Sequence, residues 1–185
     1  QYAEICRRAG VLFHCDAVQA VGKVPVDFHG VGCDYLTLSG HKIGAAKGVG
    51  ALLVGEAAPF VPLIIGGKQE SGRRGGTEPV ASIVGLGIAC AIAGRRSPNA
   101  WAAVAALRDQ LEQRILTEIP GSYRNGDAVA RLPNTLNCGI RGVDNDALVA
   151  YLDRHDICVS SGSACMEHSL SPSHVVSALT RDHAR

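Results

Sequence analysis

Short, dense apolar runs alternate with glycine-rich turns over the first half of the chain. Val11-Leu12-Phe13-His14-Cys15 ends at Asp16. Asp34-Tyr35-Leu36-Thr37-Leu38-Ser39 ends at Gly40, and Gly48-Val49-Gly50-Ala51-Leu52-Leu53-Val54 forms a third run. Unbroken runs of this length predict strands buried on both faces, as in a parallel sheet. Residues 1–9 predict the end of a helix, closed by Gly10, and residues 17–21 predict a short helix after the first strand. Residues 61–77 contain Gly66, Gly67, Gly72, Gly75 and Gly76 and predict a loop in which Arg73 and Arg74 are embedded. From Pro79 to about Arg96, the residues Ala81, Ile83, Val84, Leu86, Ile88, Ala89 and Ile92 make a helix apolar nearly all round, which predicts burial. Ser97 and Pro98 predict the start of a further helix. It runs to about Ile119, with Leu107, Leu111, Ile115 and Ile119 at i+4 spacing, and is ended by Pro120 and Gly121.

After Gly121 the pattern changes. Short strands are predicted at 122–125 and 135–140, a helix at 145–154 led by Asp144, a strand at 157–160, and a last helix from Ser171 and Pro172 to Leu179. The long apolar runs are gone, which predicts a small α+β domain. The fold class is therefore α/β: a partial large domain at 1–96 with a mixed, mostly parallel sheet and helices, a connecting helix at 97–119, and a small domain at 120–185.

Composition narrows the partners. Eighteen Lys and Arg balance 17 Asp and Glu, so the formal net charge is +1, with 46% hydrophobic residues. Near-neutrality gives no electrostatic reason to expect nucleic acid or an anionic membrane. No apolar run reaches the roughly 18 residues of a membrane span. The chain begins at Gln1 with no signal segment and reads as a portion of something longer. The seven cysteines have irregular spacing and no C-x-x-C pair, against both a zinc site and a disulfide framework. Six sit among apolar neighbours and read as small buried hydrophobes of a reducing compartment. Cys165 differs: it lies in Ser160-Ser161-Gly162-Ser163-Ala164-Cys165, a loop of small polar residues where thiolate chemistry is accessible.

Three other groups carry possible chemistry. Asp16 stands at the carboxyl end of a strand, the edge where ligands bind in open α/β sheets, although its position fits a helix cap equally well. Lys42, in Ser39-Gly40-His41-Lys42, follows the next strand; partial desolvation there would free its amine as a nucleophile, while a solvated loop lysine is the plain alternative. An Asp and a Lys at adjacent strand ends suit a pyridoxal phosphate site, in which the Lys holds the aldehyde and the Asp keeps the pyridine nitrogen protonated. Ser39 and His41 could then meet the phosphate. The glycine- and arginine-rich segment 67–78 precedes a helix and could approach an anion.

Four stretches together resemble the cysteine desulfurases, more closely the NifS/IscS-like group: HCDAVQAVGKVPVD, SGHKIGAAKGVGALLV, GGKQESGRRGGTEPVASIVGLG and SSGSACMEHSLSPSHVVSAL. The resemblance implies a class V aminotransferase-like enzyme of pyridoxal phosphate fold type I, a homodimer, cytoplasmic, converting L-cysteine to L-alanine. It passes the sulfur as a persulfide to an acceptor scaffold for iron–sulfur cluster assembly. It implies Lys42 as the cofactor lysine, Asp16 as partner of the pyridine nitrogen, and Gln19 as partner of the ring oxygen. Ser39 and His41 become phosphate ligands, Thr77 a phosphate contact to the other subunit's cofactor, and Cys165 the sulfur-accepting nucleophile, with transient contact to a cluster. Neither a fixed metal, nucleic acid nor membrane is implied.

The sequence departs from the family pattern at Ala45-Ala46-Lys47-Gly48, where Gly-Pro-Lys-Gly is usual, at Pro79, and at Met166, Glu167 and His168 after the cysteine. The family's N-terminal part, with a phosphate-binding turn, a stacking His and an Asn, has no counterpart here, nor does the Arg that holds the substrate carboxylate. The expectation is a fragment inactive alone. A selenocysteine lyase, a class V transaminase and a non-catalytic folded remnant are the alternatives; a transaminase needs no exposed thiol.

Overall fold

A computed structural model describes residues 1–96, 98–161 and 173–179. They fall in two compact units, Gln1–Trp101 and Ala102–Arg185.

In the first unit, α1 (Tyr2–Arg8) ends where Gly10 takes a left-handed conformation (φ 65°). The amides of Gly10 and Val11 then reach back to the carbonyls of Arg7 and Cys6. This double bond closes the last turn and satisfies carbonyls that the helix leaves unpaired. A three-stranded sheet follows, of order β1 (His14–Asp16), β2 (Tyr35–Ser39) and β3 (Gly50–Val54). β1 and β2 are parallel, with Asp16 opposite Thr37; β3 returns antiparallel, with Gly50 opposite Ser39. One-turn α2 (Phe28–Val31), capped by Asp27 on the amide of His29, lies in the β1 to β2 crossover.

Alternation along the strands sorts the side chains onto two faces. Cys15, Leu36, Leu38, Ala51 and Leu53 share the face that enters two apolar clusters. One is centred on Ala17, Cys33 and Leu36; the other on Ile43, Val49, Leu86 and Ala89. Leu86 and Ala89 come from α4 (Val80–Arg95), and Val21 packs against both clusters. His14, Asp16, Tyr35, Thr37 and Ser39 share the opposite, polar face.

Several expectations are corrected. Residues 17–21 form no helix but a succession of turns, because Gly22 (φ 76°) and then Pro25 stop propagation. The loop at 61–77 includes a single turn, α3 (Gln69–Gly72), with Glu70 and Ser71 in the left-handed region. Helix α4 is not enclosed: Leu86 and Ala89 are buried, whereas Ile83, Val84, Ile88 and Ile92 are exposed. Its composition reports what the helix can bury, and the described residues cover one face of it.

The second unit holds most of α5 (Pro98–Glu118), the hairpin-paired β4 (Ser122–Arg124) and β5 (Cys138–Ile140), α6 (Asn145–Asp153) and α7 (His174–Leu179). On the connecting helix, Leu107 and Leu111 of the i+4 stripe are exposed. The buried side of that helix instead carries Glu112, 6% exposed, between Arg124 and Arg131. Asp144 caps α6 through the amide of Ala147, as its position predicts. Residues 157–160 are not a strand: Asp156 turns the chain (φ 60°) and the amide of Ile157 returns to Leu152. Nor are six cysteines buried. Cys33 is, Cys6, Cys15 and Cys138 are half-buried, and Cys90 and Cys158 are exposed. Among the described residues no single helix is long and apolar enough to cross a membrane.

Candidate active site

Because β1 and β2 are parallel, their carboxyl ends open on the same edge of the sheet, where an α/β sheet receives ligands. Asp16 ends β1. Its Oδ1 accepts the amide of Val18 at 2.9 Å, so one carboxylate oxygen fixes the turn and the other has no partner among the described residues. No helix follows for Asp16 to cap; its carboxylate instead organises the turn after the strand through Val18. Gln19, three residues on, is exposed, and its side-chain oxygen accepts from Lys23 Nζ at 3.0 Å.

At the end of β2, Ser39 Oγ and His41 Nδ1 are 2.9 Å apart. Whichever partner donates, the pair keeps one outward donor: the imidazole Nε2–H when Ser39 donates, the hydroxyl when Nδ1–H donates. Gly40 between them is buried on a 3₁₀ turn (Gly40–Lys42), donating to Val49 O at 2.9 Å and accepting from Ile43 and Ala45. That turn lifts Lys42 off the strand end. Lys42 is exposed, not desolvated as expected, because its turn projects from a sheet edge that the described residues leave open. Ile43, the next residue, is buried in the core and anchors the turn. On the same polar face, His14 Nε2 and Thr37 Oγ1 pair at 3.2 Å.

Asp16, Gln19, Ser39, His41 and Lys42 are therefore gathered at one edge. Thr77 is exposed on the loop ahead of α4, and among the described residues no hydrogen bond joins it to that group. The loop itself is held by Gly75, which donates to Ile64 O at 2.8 Å where the backbones of residues 65 and 66 leave no room for a side chain. Cys165 lies outside the described residues.

The profile of the aminotransferase class-V family matches residues 1–181. The chain belongs to that family. Among curated relatives, a protein named cysteine desulfurase from Trichormus azollae is 49% identical over 173 residues, covering 94% of this chain and 43% of the relative. Cysteine desulfurase NifS of Azotobacter vinelandii is 46% identical over 179 residues, covering 97% and 44%. Among solved structures, a NifS-like protein from Rickettsia africae superimposes with a TM-score of 0.80 at 38% identity, over 87% of this chain and 44% of that one. A structure described as SspA in complex with cysteine gives 0.72 at 33% identity, over 98% and 50%. The chain spans less than half the length of the curated relatives it matches.

In this class-V chain, the α/β architecture expected from the sequence is the fold of those NifS-like structures. The strand-end group also contains a member that the sequence reading did not single out. Lys23 stands four residues after Gln19, and that i to i+4 spacing was the available signal. Its Nζ donates to Gln19 O at 2.7 Å as well as to the side-chain oxygen. Burial depresses its pKa below the usual lysine range, and the charge of Lys42 adds to the effect.

Proposed function

We propose that this chain carries the cofactor lysine and the sulfur-accepting cysteine of a pyridoxal phosphate-dependent cysteine desulfurase. The observation that carries the reading is the gathering of Asp16, Gln19, Ser39, His41 and Lys42 at one strand edge, in a class-V chain 46–49% identical to proteins named cysteine desulfurase. The donor set suits the cofactor. The free carboxylate oxygen of Asp16 matches a protonated pyridine nitrogen, the free amide N–H₂ of Gln19 a ring oxygen, the Ser39 and His41 pair a phosphate, and the exposed Lys42 amine an aldehyde. When bound, the group supplies an electron sink next to the amino acid's Cα.

The chain's own residues then divide the work. Asp16 holds a proton on the pyridine nitrogen. Lys42 gives way to the amino group of L-cysteine, and its freed amine takes the Cα proton. The Cys165 thiolate attacks the substrate sulfur: an S–S bond forms and the Cβ–S bond breaks. The electron pair of that bond stays on Cβ, which is protonated, and Lys42 returns the proton to Cα to give L-alanine, leaving Cys165 as a persulfide. The substrate assignment is supported by the cysteine in the SspA complex.

The persulfide passes to an acceptor scaffold of iron–sulfur cluster assembly in a reducing, cytoplasmic setting. We read residues 1–96 as part of the cofactor domain, 97–119 as its connecting helix and 120–185 as the small domain. We read the protein as a homodimer in which Thr77 serves the second subunit's phosphate. The exposed apolar Val61, Leu63 and Ile65 ahead of the Thr77 loop support an apposed chain.

Borohydride reduction of the full protein with pyridoxal phosphate, followed by peptide mapping, tests the reading. The label is expected on Lys42 and absent in Lys42→Ala. In Cys165→Ser the Lys42 label should persist while persulfide formation from cysteine stops; persulfide on another cysteine would overturn the nucleophile assignment.

A further inference from the structure

One contact in the strand-end group has no role in the reaction as described. Lys23 Nζ bridges the backbone oxygen of Gln19 at 2.7 Å and its Oε1 at 3.0 Å. An ammonium has only donors, so the amide atom that faces it is the oxygen. The amide of Gln19 is therefore fixed by charge: its oxygen is occupied and its N–H₂ is turned away, without a partner among the described residues. A free glutamine amide can turn over and exchange the two ends; this one is held.

The scaffold holds Lys23 in turn. The amides of Lys23 and Val24 both return to Ala20 O, at 3.0 and 3.1 Å. Gly22, one residue before, is wedged against the core. A β-carbon on it would stand 3.0 Å from Ile43 Cγ2 and 3.3 Å from Ala93 Cβ. Its carbonyl accepts from Trp101 Nε1. Ile43 is the residue after Lys42, so the turn bearing Lys23 and the turn bearing Lys42 pack directly on each other. Among the described residues, Lys42 is the charged group that acts on Lys23.

We propose that Lys23 is a positioning residue that commits Gln19 to donating, never accepting, toward the group carried by Lys42. The inference rests on the cofactor reading above and extends it to a residue which that reading does not use. A ring oxygen carrying negative charge is stabilised by the amide N–H₂ and repelled by the amide oxygen. Holding the N–H₂ edge outward favours that charge, and so lowers the pH at which the Lys42 nitrogen of the loaded protein gives up its proton.

The test is a pH titration of the cofactor absorption band in the full, loaded, resting protein, without substrate. Lys23→Met and Lys23→Gln, which cannot hold the amide by charge, should each raise the midpoint by about 1 pH unit, the equivalent of one charge-assisted hydrogen bond. Gln19→Ala should raise it similarly, the double variant Gln19→Ala with Lys23→Met no further, and Lys23→Arg should stay near wild type. A Lys23→Gln or Lys23→Met midpoint at the wild-type value, with Gln19→Ala shifted, overturns the proposal. So does a Lys23→Met shift that persists in full in the Gln19→Ala background, since Lys23 would then act through its charge alone. If wild type shows no band that Lys42→Ala removes, the cofactor reading itself falls, and this proposal with it.

Discussion

Trp101 Nε1 donates a 2.7 Å hydrogen bond to the carbonyl of Gly22, joining the start of α5 to the turn after β1 across 79 residues of sequence. It is the chain's single tryptophan. Trp101→Phe keeps most of the apolar contact and removes the donor, leaving a partly buried carbonyl unpaired. The expected cost is about 1 kcal/mol, measured by urea denaturation of the full protein followed by circular dichroism, since the substitution also removes the tryptophan fluorescence.

Gly40 has no space for a side chain. A β-carbon there would lie 2.8 Å from Val49 Cγ1 and 2.9 Å from Val49 O, and the second of these is backbone held by the amide of Gly40 itself. Gly40→Ala should cost about 1–3 kcal/mol and displace the turn that presents His41 and Lys42, so that the protein retains less pyridoxal phosphate after dialysis. Gly94→Ala is the control. It lies in α4 with open space around it, and should stabilise by about 0.5 kcal/mol through helix propensity without altering retention.

Asp16→Asn separates the two uses of that side chain. The amide oxygen of Asn can still accept the amide of Val18, so unfolding free energy should change by less than about 0.5 kcal/mol. The negative charge is lost, and with it the hold on a pyridine proton proposed above for Asp16. Cysteine turnover should fall by roughly 100-fold, about 3 kcal/mol of transition-state stabilisation. A variant with wild-type kcat would remove Asp16 from the mechanism.

Glu112 sets an acid limit on the second unit. The hydrogen bond from Arg131 is the main influence holding its carboxyl below the ordinary range; Arg124 and the charges of both arginines act the same way, against burial. A carboxyl whose folded pKa is depressed stabilises fully above its unfolded value, about 4.3. It loses that contribution as pH falls through the folded value. Wild-type stability should therefore decline below about pH 4.5. The difference between wild type and Glu112→Gln should be largest at neutral pH, about 3 kcal/mol, and shrink toward pH 3 in urea titrations.

The elements legible in the sequence were those with a local cause: Gly10 and Asp144 as caps, the apolar runs of β2 and β3, and the long helices α4 and α5. What was not legible depended on partners distant in sequence. The expected strand at 157–160 has strand-like residues but enters neither sheet, the turn at Asp156 sending the chain back to α6. The stripe from Leu107 to Ile119 has helical spacing, yet arginines on and beyond β4 draw Glu112 to the buried side of α5. At the site, Asp16, Ser39, His41 and Lys42 could be singled out because each occupies a strand end or the turn after it, and Gln19 only through the family resemblance. The exposure of Lys42 and the grip of Lys23 on Gln19 are three-dimensional facts that no run of letters encodes.

Among the described residues the sheet ends in β3, and its ladder to β2 is one-sided. Gly40 bonds to Val49 O and Gly55 to Asp34 O, so by the antiparallel alternation the amides of Ala51 and Leu53 point into the sheet while those of Gly50, Leu52 and Val54 point out of it. Deuterium uptake along this strand should therefore alternate residue by residue wherever β3 is an edge. In the full protein, slow uptake at all five positions would reveal a further strand laid alongside β3, without any need to see that strand directly.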